Sequence, residues 1–320
     1  MTRECTQGTE SPILVQYNSV NFGLLCWPEH LYCLDRSVVT SPRRQACSMI
    51  TQSVGNRLRT STCAVLRMEE RHEEFLAGKM PGSKVPRPKF EVIGTGFLIR
   101  DNLVLTNRHI VELIAAEHKK TGHFDHWYLQ FTYPRREGGW SETTKRIVNI
   151  FAFFDPSGAG GVDAGLLEFG RKKEDGFDSC VPVEFGDLTT IAVGADIAVC
   201  GFPLGNELLV GPTVCRFGPV LHHGIVSGVA PFEEANPRNL TSFLTDINTA
   251  GGMSGSPVFT PDDGKVVGLH FAGVQGTLGF ALPVDQQRVG GWVRFYERIF
   301  VHHEKPSSLM VTGGGDIAET

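Results

Sequence analysis

The apolar residues of this chain come in short runs cut off by turn residues, and that spacing constrains the fold more than any other feature. Gly94 to Ile99 alternates small and apolar side chains, and Leu103-Val104-Leu105 follows closely. Asp163 opens a further run through Phe169, and Pro257-Val258-Phe259 makes another. Runs this short, bounded by glycine and proline, suit strands rather than helices, which need about ten or more residues to bury a stripe. The 37 glycines and 18 prolines supply the turns between them. Helical periodicity is confined to Arg108–Lys119 and to Val289–Phe300, where Val289, Trp292, Val293, Phe295, Tyr296, Ile299 and Phe300 recur at helical spacing. The expectation is an all-β protein with a C-terminal helix.

Charge and cysteine usage narrow the classes of partner. A formal net charge of −5 argues against nucleic acid, which requires a concentrated basic face. The local cluster Lys79, Lys84, Arg87 and Lys89 follows the acidic run Glu69, Glu70, Glu73 and Glu74 and is expected to be a solvated surface loop. Lys119 to Lys145 is read the same way; its neighbours His118, His123 and His126 sit in irregular chain without a cysteine at ligand spacing, so no metal is expected. The eight cysteines contain no CxxC pair, and Cys63 and Cys200 occupy strand positions as small buried apolar residues, which suits a reducing compartment. The first 30 residues have no basic region beyond Arg3, and no run reaches the ~20 apolar residues that span a bilayer. Cytoplasmic residence, no membrane and no cofactor are the expectations.

Three segments carry chemistry. In Gly252-Met253-Ser254-Gly255-Ser256-Pro257 the glycines permit a tight turn whose Gly252 and Ser254 amides converge on one oxygen beside a serine hydroxyl. Thr106-Asn107-Arg108-His109-Ile110-Val111 places His109 just past a strand end, and an imidazole is the side chain suited to take and return a proton at neutral pH. Asp163 follows the flexible run Pro156 to Gly161. Taken singly, these also fit a hairpin loop, a helix-capping histidine and a loop-ending aspartate. In the order His109, Asp163, Ser254, they follow one of the three known chain orders of a Ser-His-Asp triad. Ser256 stands where Gly-x-Ser-x-Gly requires glycine, which argues against a lipase-type nucleophile elbow.

With these segments the chain resembles the trypsin-like, chymotrypsin-fold serine proteases, nearest the branch holding the HtrA (Deg) proteases and the glutamyl endopeptidases. The likeness extends over about residues 50 to 296, through Ser61–Met68, Gly94–Ile99, Ala198–Gly205, Gly224–Val229, Leu244-Thr245-Asp246 and Gly279–Val284. It implies two six-stranded antiparallel β-barrels and a closing helix, with His109 and Asp163 from the first barrel and Ser254 from the second. A stretch of about 240 residues is enough for two such barrels. The expected division is an N-terminal extension over residues 1–47, a protease domain over 48–300 with its barrel boundary near 180–195, and a disordered tail over 301–320. Two departures stand out: Met253 replaces the usual Asn or Asp before the serine, and Arg108 replaces the usual Ala before the histidine. About two dozen residues follow the last strand-like run, so no PDZ-like domain is expected after it.

The resemblance also implies where specificity lies. The pocket for the side chain before the scissile bond is walled by Asn248-Thr249-Ala250 and by Gly268–Gly273. Thr249 and His270 resemble the pair found in glutamyl endopeptidases and in viral 3C-type proteases that prefer Gln. No aspartate stands at 248 to favour Lys or Arg. The expected function is a serine endopeptidase acting on protein or peptide substrates and preferring Glu or Gln. The alternative is a latent or non-catalytic protease-fold module that awaits an activating partner through residues 1–47.

Overall fold

A computed structural model describes residues 50–68, 90–135, 137–153, 162–170, 177–203, 218–232, 234, 236–274 and 277–302. The expectations for residues 1–47, for Lys79–Lys89, for Pro156–Gly161 and for 303–320 lie outside them. Each apolar run forms a strand, because alternate side chains of a pleated chain can then be buried on one face. The first six strands are β1 (Thr62–Met68), β2 (Phe90–Arg100), β3 (Leu103–Thr106), β4 (Trp127–Pro134), β5 (Trp140–Ala152) and β6 (Gly165–Phe169). They pair antiparallel in the order β1-β2-β3-β6-β5-β4, and β4 returns to β1 to close a barrel. The next six are β7 (Asp196–Gly201), β8 (Val220–Ala230), β9 (Ser242–Thr245), β10 (Pro257–Phe259), β11 (Val266–Val274) and β12 (Leu278–Pro283). They close a second antiparallel barrel in the order β10-β11-β12-β9-β8-β7. Closure removes the unpaired edges that an open sheet leaves to other chains.

The structure corrects the reading of Lys119–Lys145 as an irregular insertion, because β4 and the first half of β5 lie there, paired residue by residue from Tyr128↔Arg146 to Pro134↔Trp140. Two features hide these strands in the sequence. Trp127, Leu129 and Phe131 point into the barrel core, while Tyr128 is buried on the other side with Leu66, Val92 and Phe202, so no polar alternation shows. In β5 the residues Ser141 to Lys145 are polar, yet Lys145 is buried, with its ammonium 4.7 Å from the centre of the Phe177 ring. His118 belongs to a helix and stacks on Phe124, and His123 pairs with Asp125 at 3.2 Å.

Three α-helices join the strands among the described residues. The first, α1 (Gln52–Ser61), has no counterpart in the sequence reading: its apolar stripe is only Val54 and Leu58, too thin to register as a period. Thr51 caps it, its hydroxyl accepting the Val54 amide at 3.3 Å. The second, α2 (Arg108–Thr121), buries Ile110, Val111, Ile114 and Ala115 on the first barrel. The third, α3 (Gln286–His302), lays Val289, Val293 and Tyr296 on a core cluster drawn from both barrels, including Phe97, Leu105 and Phe151 of the first and Cys200, Phe259 and Leu269 of the second. That shared cluster holds the barrels together through apolar burial, worth about 25 cal/mol per Å². No helix among the described residues is long and apolar enough to cross a membrane.

Candidate active site

The site begins at the N-terminus of α2, where the first amides of a helix have no partner within it. Asn107 stands at the cap position but makes no side-chain cap bond; its Nδ2 instead donates to the backbone carbonyl of Asp163 at 2.9 Å. Asp163 returns the favour from outside the helix, its Oδ1 accepting the His109 amide at 3.1 Å. A carboxylate at this end of a helix is also favoured by the helix dipole. The other oxygen, Oδ2, lies 2.9 Å from His109 Nδ1, with the His109 side chain 48% and the Asp163 side chain 22% exposed. One end of the imidazole is thus tied to a carboxylate while the ring faces solvent. Arg108 points elsewhere and pairs with Glu112 at 3.5 Å one turn on.

The serine turn is built on two residues that need positive φ, Gly252 at +91° and Gly255 at +88°. A methyl group at Gly255 would also overlap the Thr95 carbonyl oxygen. The turn is closed by Met253 N–H to Ala250 O at 3.2 Å, Ser256 N–H to Met253 O at 3.0 Å and Gly255 N–H to His270 O at 2.8 Å. The amides of Gly252 and Ser254 donate to no backbone carbonyl among the described residues. Met253 is fully buried in the second barrel core with Val199, Val258 and Val267, so its apolar side chain anchors the loop from beneath where an Asn or Asp would brace it by hydrogen bonds.

Bonds across the barrels bring the serine turn to the histidine segment. The Thr95 amide on β2 donates to Ser254 O at 2.8 Å, and Thr106, three residues before His109, donates its hydroxyl to Thr95 O at 2.7 Å. A methyl at Gly94 would meet both Ser254 O and the side chain of Ile110, next to His109.

Of the expected pocket residues, Thr249 and His270 are buried and Asn248 is exposed. A Cβ built at Gly279 on β12 would lie 2.7 Å from Thr245 Oγ1, 3.1 Å from His270 Cε1 and 3.1 Å from Thr249 Cγ2, so these three side chains surround one glycine. His270 is 2% exposed, and its Nδ1 and the Thr245 hydroxyl have no hydrogen-bond partner among the described residues. Burial pushes the imidazole pKa down to about 4, which keeps the ring neutral near pH 7. The sequence reading passed over Asn107, Thr95 and Thr245. All three lie inside segments it quoted, without being given a role, and the roles of Asn107 and Thr95 depend on partners 56 and 157 positions away.

Comparison with known proteins places the chain among relatives. Residues 94–269 match the trypsin-like peptidase domain. The chain is similar to protease Do-like 12 of Arabidopsis thaliana mitochondria, 29% identical over 195 residues that cover 59% of this chain and 32% of that protein. It is also similar to a glutamyl endopeptidase of Staphylococcus aureus, 24% identical over 205 residues that cover 63% of this chain and 54% of that protein. The chain therefore spans about a third of the length of the first relative and about half of the second. Among solved structures, Deg5 aligns with 78% of this chain and 93% of its own at 18% identity and a TM-score of 0.46.

Proposed function

This chain belongs to the trypsin-like peptidase family, and on that premise we propose that it is a serine endopeptidase using Ser254, His109 and Asp163. The observation that carries the reading is the double contact of Asp163 with His109, at 2.9 Å to the ring and 3.1 Å to the amide. In the proposed reaction His109 Nε2 takes the Ser254 proton as Oγ attacks the substrate carbonyl. Asp163 holds the proton on Nδ1 and stabilises the imidazolium. The Gly252 and Ser254 amides receive the oxyanion. Collapse breaks the peptide bond, the amine leaves with the proton from His109, and water repeats the sequence to release the acid and restore Ser254.

The proposed preference is for Glu or Gln before the scissile bond, with His270 and Thr249 receiving the side-chain oxygen and Asn248 at the rim. A neutral imidazole and hydroxyls in a dry pocket reward a group that hydrogen-bonds. Leaving them unpaired costs about 1–3 kcal/mol, enough to reject apolar side chains by about tenfold or more. The similarity to a glutamyl endopeptidase supports the same reading.

The test is a cleavage profile on a denatured proteome, with wild type beside Ser254→Ala and His270→Val, together with fluorophosphonate labelling. Serine-dependent cuts after Glu or Gln that lose their preference in His270→Val support both halves of the reading. Full labelling of Ser254→Ala would falsify the nucleophile assignment, and an unchanged preference in His270→Val would remove the pocket. A folded wild type that neither labels nor cuts would turn the reading to a latent module awaiting a partner.

A further inference from the structure

The nucleophile turn leaves one thing undetermined by its own sequence. Glycine populates positive and negative φ about equally, so the peptides on either side of Gly252 can rotate at little intrinsic cost. The Gly252–Met253 peptide links the two proposed oxyanion donors, the Gly252 and Ser254 amides; its N–H is held within the turn by Ala250 O, and its carbonyl must be held from outside. The candidate is Thr95, fully buried in the middle of β2. Its hydroxyl donates to Gly252 O at 2.7 Å and accepts the Phe202 amide at 3.1 Å. A hydroxyl has one proton, and with Phe202 N–H directed at its oxygen that proton is committed to Gly252. The backbone of the same residue is held too, by Ser254 O at 2.8 Å and by the Thr106 hydroxyl at 2.7 Å. Thr95 therefore stands where the histidine segment, the serine turn and the end of β7 meet.

We propose that Thr95 is a positioning residue for the oxyanion site, its hydroxyl locking the carbonyl of the Gly252–Met253 peptide, the link between the Gly252 and Ser254 amides, so that the two amides keep one relative arrangement. The inference rests on the reading of Ser254 as nucleophile. If the Gly252–Met253 peptide turned, its carbonyl would leave the Thr95 proton unpaired in a buried site and its N–H would leave Ala250 O, and that double penalty holds the link between the two amides in place. Valine has the shape of threonine without the hydroxyl and would leave Gly252 O and Phe202 N–H without this partner. Serine keeps the hydroxyl and loses only a methyl.

The experiment uses the full chain as wild type, Thr95→Val and Thr95→Ser. The readouts are kcat and KM on a Glu- or Gln-containing peptide and the fluorophosphonate labelling rate of the folded fraction. Thr95→Val is expected to lose about 10- to 100-fold in kcat, less than direct removal of an oxyanion donor, with KM within about threefold. Thr95→Ser is expected to recover most of that loss. Wild-type kcat in Thr95→Val overturns the proposal. So does an equal loss in both variants, which would assign the effect to methyl packing.

Should Thr95→Val not fold, a crystal structure of wild type treated with diisopropyl fluorophosphate decides. The proposal requires the phosphoryl oxygen on the Gly252 and Ser254 amides with Gly252 O still bonded to Thr95; a phosphoryl oxygen bound there with Gly252 O released from Thr95 overturns it. A wild type that reacts with neither reagent removes the nucleophile and this inference together. A reactive wild type beside an unimpaired Thr95→Val removes this inference alone.

Discussion

His109 Nδ1 lies 2.9 Å from one oxygen of Asp163 while the amide of the same histidine donates to the other oxygen at 3.1 Å. One carboxylate thereby fixes the ring and the start of α2 that carries it. An amide cannot serve both contacts. In Asp163→Asn the remaining oxygen is expected to stay with the His109 N–H, which turns Nδ2 toward the ring. A donor facing Nδ1 drives the imidazole proton to Nε2, the nitrogen that must accept from serine. The expected loss in kcat is about 10⁴-fold, with KM and thermal stability little changed. A drop of less than tenfold, measured on a peptide substrate, would detach Asp163 from the chemistry.

What the sequence revealed, and what it hid, follows from how local each signal is. The barrels were legible where strands carry compact apolar runs, as in β3 and β10, and the long amphipathic stripe of α3 was legible for the same reason. Strand β5 was not, because its partner β4 supplies the ladder while its own residues from Ser141 to Lys145 are polar. At the site, His109, Asp163 and Ser254 each announce themselves through a short motif beside a strand. Asn107 and Thr95 do not, since an asparagine before a helix suggests a cap and a threonine in a strand suggests packing. Only the fold brings Asn107 to Asp163 and Thr95 to Gly252.

Gly255 should tolerate no side chain. Its φ of +88° costs an L-residue about 1–2 kcal/mol, and a Cβ there would overlap Thr95 O. Gly194 separates the two effects, because it has a φ of +87° with nothing within 4 Å of an added Cβ. Gly194→Ala is expected to lower stability by about 1–2 kcal/mol and leave fluorophosphonate labelling of the folded fraction unchanged. Gly255→Ala is expected to lose labelling by at least about a hundredfold, as the turn must shift to relieve the overlap. Equal labelling of the two variants would show that the turn is not held against β2.

The attachment of α3 to the first barrel turns on Glu168. Its Oε2 accepts Tyr296 O–H at 2.6 Å and Asn149 Nδ2 at 2.6 Å, and its Oε1 accepts Asn102 Nδ2 at 2.9 Å. Burial, with the carboxylate beside it, raises the Tyr296 pKa well above the usual phenol range, so the phenol stays a donor at any working pH. Tyr296→Phe should cost about 1.5–3 kcal/mol, the usual range for a hydrogen bond to a charged group. Urea unfolding should show the midpoint falling with an unchanged slope, and kcat should hold, since none of these groups touches the serine turn. A fall in kcat without a change in midpoint would contradict this division of roles.

The neutral His270 makes the proposed Glu and Gln substrates respond differently to pH. The pKa of its ring in the free protein is lowered to about 4, against an ordinary value near 6.5, because burial disfavours the cation. A Gln carboxamide can hydrogen-bond to the neutral ring and leave its protonation unchanged. A Glu carboxylate in the same pocket favours the imidazolium, so it raises the pKa of His270 in the complex and its binding takes up a proton. Affinity for Glu must then grow as pH falls through the raised value, and the gain levels off only below the pKa of the free protein. Ionisations outside the pocket act on both substrates and cancel in their ratio. Between about pH 8 and pH 5, where a free Glu side chain stays mostly ionised, the ratio of kcat/KM for Glu over Gln is expected to rise several-fold in wild type and to stay flat in His270→Asn. Paired peptides differing only at that residue, mixed in one reaction and followed by mass spectrometry, give the ratio directly. A flat wild-type ratio would mean that the imidazole does not meet the substrate side chain.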